Sequence, residues 1–351
     1  MSSSLVSRDK KKIIAWLLLC MLLVAGMVVV GGYTRLSGSG LSITKWKLIH
    51  GVIPPLNQQE WEEEFAGYQN IPQYKAINTH MSLEEFKTIF WPEFFHRLLG
   101  RAIGIVFFIP MILFTIRKSV SKKLLFRMLG ILLLGGLQGG IGWIMVKSGL
   151  QDNVYVSHFR LALHLSVAFI IFMLIEWLFL DIIYEKKFIK AENNKTVFPP
   201  FAILSYKIWF ILLFIQIIFG AFVAGLHAGL VYNTWPDMNG EFFPSELYSS
   251  ASYNNGLLGN AAFVQFIHRN LAILIVVILL FWWYLYKKYI RLCGIYNEFG
   301  LILLVITAQF FLGVITLLYG VPVFIALAHQ LNALILWMVS ILFIYKLLNY
   351  K

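Results

Sequence analysis

Four of the eight histidines in this 351-residue chain stand where side chains rarely stand without a purpose. His96, His164, His268 and His329 each lie a short way inside a long apolar run. If the runs begin near Trp91, Ser157, Ala261 and Pro322, the imidazoles lie at one common depth, about 8–10 Å along a helix. An ionisable residue inside an apolar span is a functional hypothesis by default. Two histidines at one depth on facing helices can hold an iron between them, as when a haem lies between the helices of a bundle. A single membrane histidine often only hydrogen-bonds a neighbouring helix, but four at matching positions are poorly explained that way. Each pair offers only two ligands, with no cysteine or carboxylate cluster to complete a tetrahedral zinc or copper site; a porphyrin would supply four further nitrogens. Arg97, Arg101, Arg160 and Arg269 lie near the same level and could pair with propionates or snorkel to the interface. His50, His80, His158 and His227 read as loop or interface residues.

The elements that must position these side chains are membrane helices. The chain is 59% hydrophobic and 13% charged, against about 45–50% and 25% for a soluble domain. Eight apolar runs stand out, at 13–33, 93–115, 126–146, 159–180, 203–226, 261–286, 298–319 and 323–345. Each is long enough to cross about 30 Å of hydrocarbon. The first has no small-residue cleavage site and reads as an uncleaved helix; with no transit peptide before it, a bacterial source is expected. The net charge of +12 is no sign of nucleic-acid binding, because 19 of the 29 Lys and Arg residues fall in the termini and the 116–127, 181–207 and 287–297 segments. By the positive-inside rule these are cytoplasmic, so both termini face the cytoplasm and the histidines face the periplasm. Cys20 and Cys293 are too few and too far apart for a disulfide framework.

The runs repeat. EFFHRLLGRAIG in the second answers VQFIHRNLAILI in the sixth, RLALHLSVAF in the fourth answers ALAHQLNALI in the eighth, and Gln138 in the third aligns with Gln309 in the seventh. The fold expected is an all-α integral membrane protein whose eight transmembrane helices form two pseudo-symmetric four-helix bundles. Residues 1–180, with a long outer loop at 34–92, form the first half, 181–207 a cytoplasmic linker, and 208–351 the second half. One difference breaks the symmetry. Glu93 precedes His96 by three residues, on the same helix face, and Gln265 precedes His268 by the same interval. A carboxylate can take a proton or stabilise developing positive charge; an amide cannot do the first. Glu93 also reads as a carboxylate at a helix N-terminus, with Pro92 in the first turn. The halves could thus be a reaction site and an electron-accepting site. A two-haem, cytochrome b-like electron carrier and a haem transporter or chaperone stay open on the residues alone.

GGYTRLSGSGLSITKW, EWEEEFAGYQNIPQY, EFFHRLLGR, VSHFRLALHLS, AGLHAGLVYNTWP, FIHR and LAHQLNAL together resemble the haem A synthase family over nearly the whole chain. The resemblance implies an oxidoreductase that oxidises the C8 methyl of haem O, through a hydroxymethyl intermediate, to the formyl of haem A for cytochrome c oxidase. It implies that His96 and His164 hold the substrate haem O, that His268 and His329 are the axial ligands of a haem b cofactor, and that Glu93 is catalytic. Arg97 and Arg269 would be propionate contacts. A haem O synthase (protohaem farnesyltransferase) would supply the substrate, an unidentified acceptor would take the electrons, and the site would be the bacterial inner membrane. The chain lacks the outer-loop cysteine pair of some family members, so it is similar to the subgroup without it, and a loop-disulfide mechanism is excluded.

Overall fold

The structure, a computed structural model, describes residues 9–45, 50–151, 153–184, 198–247 and 256–349. Ten α-helices run through them: α1 (Lys10–Leu36), α2 (Gln58–Gln69), α3 (Pro72–Ile77), α4 (Leu83–Ile116), α5 (Lys122–Gln151), α6 (His158–Tyr184), α7 (Pro200–Gly225), α8 (Ala261–Leu292), α9 (Tyr296–Leu318) and α10 (Val323–Asn349). No β-strand occurs among the described residues. All but α2 and α3 are long and apolar enough to cross a membrane, so the eight spans expected from the apolar runs are the eight found. Of the linker expected at 181–207, residues 185–197 lie outside the described residues.

The chain divides into two compact units, Met1–Phe172 and Met173–Lys351, with the boundary inside α6. In the first unit α1 packs on α4, and α4 on α5; in the second α7 packs on α8, α9 on α10, and α10 on α7. Each unit uses an indole to tie its first two spans together. Trp16 Nε1 of α1 donates to the Val106 carbonyl of α4 at 2.8 Å, and Trp209 Nε1 of α7 donates to the Ile275 carbonyl of α8 at 2.9 Å. A buried indole N–H needs such a partner. Outward-facing Leu22, Phe126, Leu133, Leu304 and Phe324 are more than half exposed. In water so large an apolar surface would demand a partner; in a bilayer, lipid covers it.

The largest departure from the expected boundaries is in α4. Its apolar run begins near residue 93, but the helix begins at Leu83, where Ser82 and Glu85 form a reciprocal capping box. At 1.5 Å per residue its 34 residues extend for about 51 Å, far more than the roughly 30 Å hydrocarbon layer needs. The additional turns carry Phe86 and Phe90 into a buried cluster with Phe94, Leu41, Tyr68 and Ile71, on which Trp61 and Phe65 also pack. The long first loop therefore has a core of its own, built on the extension of α4. Glu93 and Pro92 lie inside the helix, Glu93 ten residues past its start, which overturns the reading of Glu93 as a carboxylate at a helix N-terminus. It also removes helix starts as a common ruler of depth, since His96 is thirteen residues past the start of α4.

Candidate functional site

Each of the four histidines lies against a glycine on a neighbouring helix. A Cβ built on Gly31 of α1 would stand 3.1 Å from His96 Nε2, and one on Gly142 of α5 would stand 2.9 Å from His164 Cε1. In the second unit a Cβ on Gly220 of α7 would stand 3.2 Å from His268 Cε1, and one on Gly313 of α9 would stand 2.9 Å from His329 Cε1. The pattern is the same in both units: the first and third spans supply notches, the second and fourth supply rings. Gly31, Gly220 and Gly313 each lie five residues before the end of their helix, about 8 Å. The two rings of each pair are also close enough to interact electrostatically, His96 with His164 and His268 with His329. The structure thus brings together the pairs that the repeat predicts.

The arrangement fits a haem by its own chemistry. The Nδ1 atoms of His164, His268 and His329 are buried without a hydrogen-bond partner. Unpaired buried nitrogens are uncommon in folded proteins, and neutral imidazole is a strong ligand for iron. Among the described residues no cluster of three or more His, Cys, Asp or Glu side chains is placed to hold a bare metal ion. Two nitrogens per unit, in notches without side chains, match a flat macrocycle that brings its own four equatorial donors.

Glu93 is 2% exposed and its carboxylate is fully engaged. Oε2 accepts from Ser42 Oγ at 2.7 Å and from the Ile43 N–H at 2.9 Å. Oε1 accepts from Arg97 Nη2 at 2.6 Å and Nε at 3.1 Å. Arg97 Nη2 also donates to the Ile43 carbonyl at 2.9 Å. Glu93 and Arg97, one turn apart on α4, thus clamp the chain segment after α1 onto the His96 turn. This pair has the geometry of a strong charge-assisted interaction. In the second unit Gln265 Nε2 donates to the Tyr232 carbonyl at 2.9 Å, and Arg269 donates to the carbonyls of Asp237 (2.9 Å) and Thr234. Both units therefore use an acid or amide and an arginine, four residues apart, to hold a loop beside the histidine of the second span. Arg97 and Arg269, expected as propionate contacts, are engaged by these loops.

The Arg269 loop carries a pH prediction. Thr234 Oγ1 donates to Asp237 Oδ1 at 2.7 Å, the Gly240 N–H adds a second bond, and together with the Arg269 charge they hold the Asp237 carboxyl below the usual aspartate range. Its stabilising contribution is complete above the unfolded value, about 3.9, and is lost as the pH falls through the lower folded value. Amide exchange at Asn239 and Gly240 should therefore stay level from about pH 8 to 5 apart from its intrinsic pH dependence, and gain an added opening only in stronger acid. An added opening near neutral pH would contradict the assignment.

Of the remaining histidines, His80 and His227 are exposed, as a loop reading expects, and His227 adopts a left-handed conformation after α7. The side chain of His50 lies outside the described residues. His158 is buried as the first residue of α6, its ring tilted 38° against that of Phe159 with centroids 4.1 Å apart, rather than in an open loop. Gly142 lies in the glycine-rich stretch 135–142, whose composition already suggests room for a flat macrocycle; the residues that motif reading missed are the other notches Gly31, Gly220 and Gly313, with Gln216, Asn332 and the Ser42–Ile43 segment. A spacing was present to find three of the notches: Gln138/Gly142, Gln216/Gly220 and Gln309/Gly313 are all Gln-x3-Gly.

A family model described as cytochrome oxidase assembly protein (COX15-CtaA) matches residues 14–341. The chain is 45% identical over 333 residues to the heme A synthase of Nitrosospira multiformis, covering 93% of this chain and 91% of the relative. It is 45% identical over 332 residues to that of Wolbachia pipientis, covering 94% and 96%, and 42% identical over 333 residues to that of Flavobacterium psychrophilum, covering 94% and 96%.

Proposed function

The chain belongs to the cytochrome oxidase assembly protein family COX15-CtaA, and we propose that it is a haem A synthase, a membrane oxidoreductase that converts the C8 methyl of haem O to the formyl of haem A through a hydroxymethyl intermediate. The observation that carries this reading is the asymmetry between two otherwise matching histidine pairs. Both pairs lie in glycine notches suited to a haem, but only the first has a buried carboxylate, Glu93, one turn from its ligand. The relatives named heme A synthase, at 42–45% identity over almost their full lengths, support it.

In this reading His96 and His164 hold the substrate haem O, and His268 and His329 hold a haem b cofactor. When bound, haem b supplies one-electron redox chemistry. The reaction adds one oxygen atom and raises the methyl carbon by four electrons of oxidation, so an external acceptor is required. The chain's own residues position and shield. Gly31 and Gly142 leave room for the substrate ring, and Glu93 and Arg97 clamp the Ser42–Ile43 segment to the same helix that carries His96. Glu93 places negative charge beside the substrate ring, where positive charge develops on the carbon being oxidised. The histidine sites face the periplasm of a bacterial inner membrane, both termini face the cytoplasm, and a haem O synthase supplies the substrate.

The test is haem extraction and chromatography from cells making this chain together with a haem O synthase. Haem A or its hydroxymethyl precursor is expected. Haem B and haem O alone, with the chain folded and haem-loaded, would overturn the synthase reading in favour of an electron carrier or a haem-binding transporter.

A further inference from the structure

With Arg97 and Arg269 engaged by their loops, the propionates of a haem need another cation, and in the first unit α1 supplies one. Arg35 lies in the last turn of α1, four residues beyond the Gly31 notch. Residues four apart share a helix face, and four residues rise about 6 Å. Long helical side chains lean back over the turn before their own Cα, which for Arg35 is the turn of the notch. There a Cβ on Gly31 would stand 3.1 Å from His96 Nε2. Arg35 is partly buried, and its guanidinium has no hydrogen-bond or ion-pair partner among the described residues. A charge held partly out of water without an acceptor is costly. A carboxylate on the ligand would remove that cost and match the planar fork of the guanidinium.

The second unit has no counterpart: four residues beyond Gly220, the notch that answers Gly31, stands Ala224. The cation thus belongs to the unit that carries Glu93. Thr34, next to Arg35, donates from Oγ1 to the Pro92 carbonyl at 3.2 Å, and Pro92 is next to Glu93. The turn of α1 with Arg35 therefore touches the turn of α4 with Glu93. Both turns lie on the loop side of the His96 ring, since Arg35 follows Gly31 on α1 and Glu93 precedes His96 on α4. Haem O is polar at one edge and apolar at the other. Its two propionates lie opposite its farnesyl chain, and the C8 methyl shares a pyrrole with one of them. An unpaired carboxylate in hydrocarbon is prohibitive, so the propionate edge must turn to the loop end of the bundle and the farnesyl edge to the lipid. The edge that arrives beside Arg35 is then the edge that carries the methyl to be oxidised.

We propose that Arg35 is a substrate-binding residue of the first unit: it takes a propionate of haem O and so fixes the orientation in which the C8 methyl edge meets the Glu93 turn. This rests on the reading that the first histidine pair holds haem O. The helix dipole also favours a cation in a last turn, but that role would make Arg35 a matter of stability alone, indifferent to the carboxylates of the ligand.

Two probes that differ only at the carboxylates, haem B and its propionate dimethyl ester, should be titrated into the full-length chain in detergent. His268→Ala confines binding to the first unit and His96→Ala to the second. In the His268→Ala chain the free acid should bind more tightly than the diester by about 10–100-fold, the range for hydrogen bonds to charged groups. Adding Arg35→Gln should remove most of that preference by weakening the free acid alone, with the helical circular dichroism unchanged. In the His96→Ala chain Arg35→Gln should change the binding of neither probe. An undiminished preference after Arg35→Gln would overturn the proposal, and so would an equal loss of both probes, the mark of a purely structural arginine. Detergent takes up the diester more readily and can only add to the preference. Equal affinities for the two probes in the His268→Ala chain would therefore overturn the proposal even if Arg35→Gln failed to fold. Haem stoichiometry that ignores His96→Ala and His268→Ala would instead overturn the underlying haem reading.

Discussion

A single methyl group placed at Gly313 should weaken haem binding in the second unit while leaving the helices standing. In an open helix interior glycine to alanine gains about 1 kcal/mol of helix propensity. At Gly313 the added Cβ would stand 2.9 Å from His329 Cε1, closer than carbon atoms tolerate, and overpacking of this kind costs about 1–3 kcal/mol. The two terms nearly offset in the stability of the fold. They do not offset in binding, because the strain is relieved by turning the one ring that must address the iron. Gly313→Ala should lower haem affinity in that unit by at least about tenfold, with helical content and melting temperature close to the parent's. Gly142→Ala should do the same to the first unit through His164, where the approach is also 2.9 Å. Gly139 shares α5 with Gly142, but a methyl group there would meet nothing within 4 Å, so Gly139→Ala should leave both haems in place. Haem titrations of the three purified variants would decide. An unchanged haem affinity in Gly313→Ala would mean that the notch does not seat the haem.

What could be read from the residues alone, and what could not, follows from how each feature is encoded. Membrane spans are long runs of one property, so the eight helices and their order were legible. The histidine pairing was legible because duplication leaves matching residues at matching places. The start of α4 was written in the sequence as Ser82-x-x-Glu85, a capping-box spacing, but hydropathy alone passes over it, because the ten residues before Glu93 are amphipathic and pack on the first loop rather than in lipid. Glu93 was picked out for its type and spacing, but its partners Ser42 and Ile43 lie some fifty residues earlier, and only the folded loop brings them to it. The glycine notches were half legible: Gln-x3-Gly recurs in plain view, yet only a structure tells which glycines face a ring and which face lipid. Arg97 and Arg269 were correctly placed near the histidines, but sequence could not show that loop carbonyls and a carboxylate engage them.

Replacing Glu93 by glutamine should cost product formation at least about 100-fold without emptying either haem site. The second unit already shows what an amide does at this position. Gln265 bonds a main-chain carbonyl, its Oε1 has no hydrogen-bond partner, and Arg269 is turned to the loop. In Glu93→Gln the Ser42 and Ile43 donors can still be met by the amide oxygen, but the amide nitrogen would face the Arg97 guanidinium, donor to donor. Removing one partner of a buried pair costs about 3–5 kcal/mol, and with Arg97 12% exposed and Glu93 3% exposed at their side chains the pair is shielded enough for much of that to be felt. A lower melting temperature is therefore expected alongside the lost activity, and stability alone could mimic a catalytic effect. Arg97→Gln separates the two. It breaks the same ion pair and loosens the same loop, but leaves the carboxylate held by Ser42 and Ile43. If the negative charge acts on the substrate carbon, Arg97→Gln should melt at least as low as Glu93→Gln yet form haem A much faster. If Glu93 serves only to anchor the loop, the two variants should be equally inactive, and the double variant no worse than either. Haem A formed per folded chain, measured beside the melting temperature of each, decides between them. Parent-level haem A from Glu93→Gln would remove the carboxylate from the chemistry altogether.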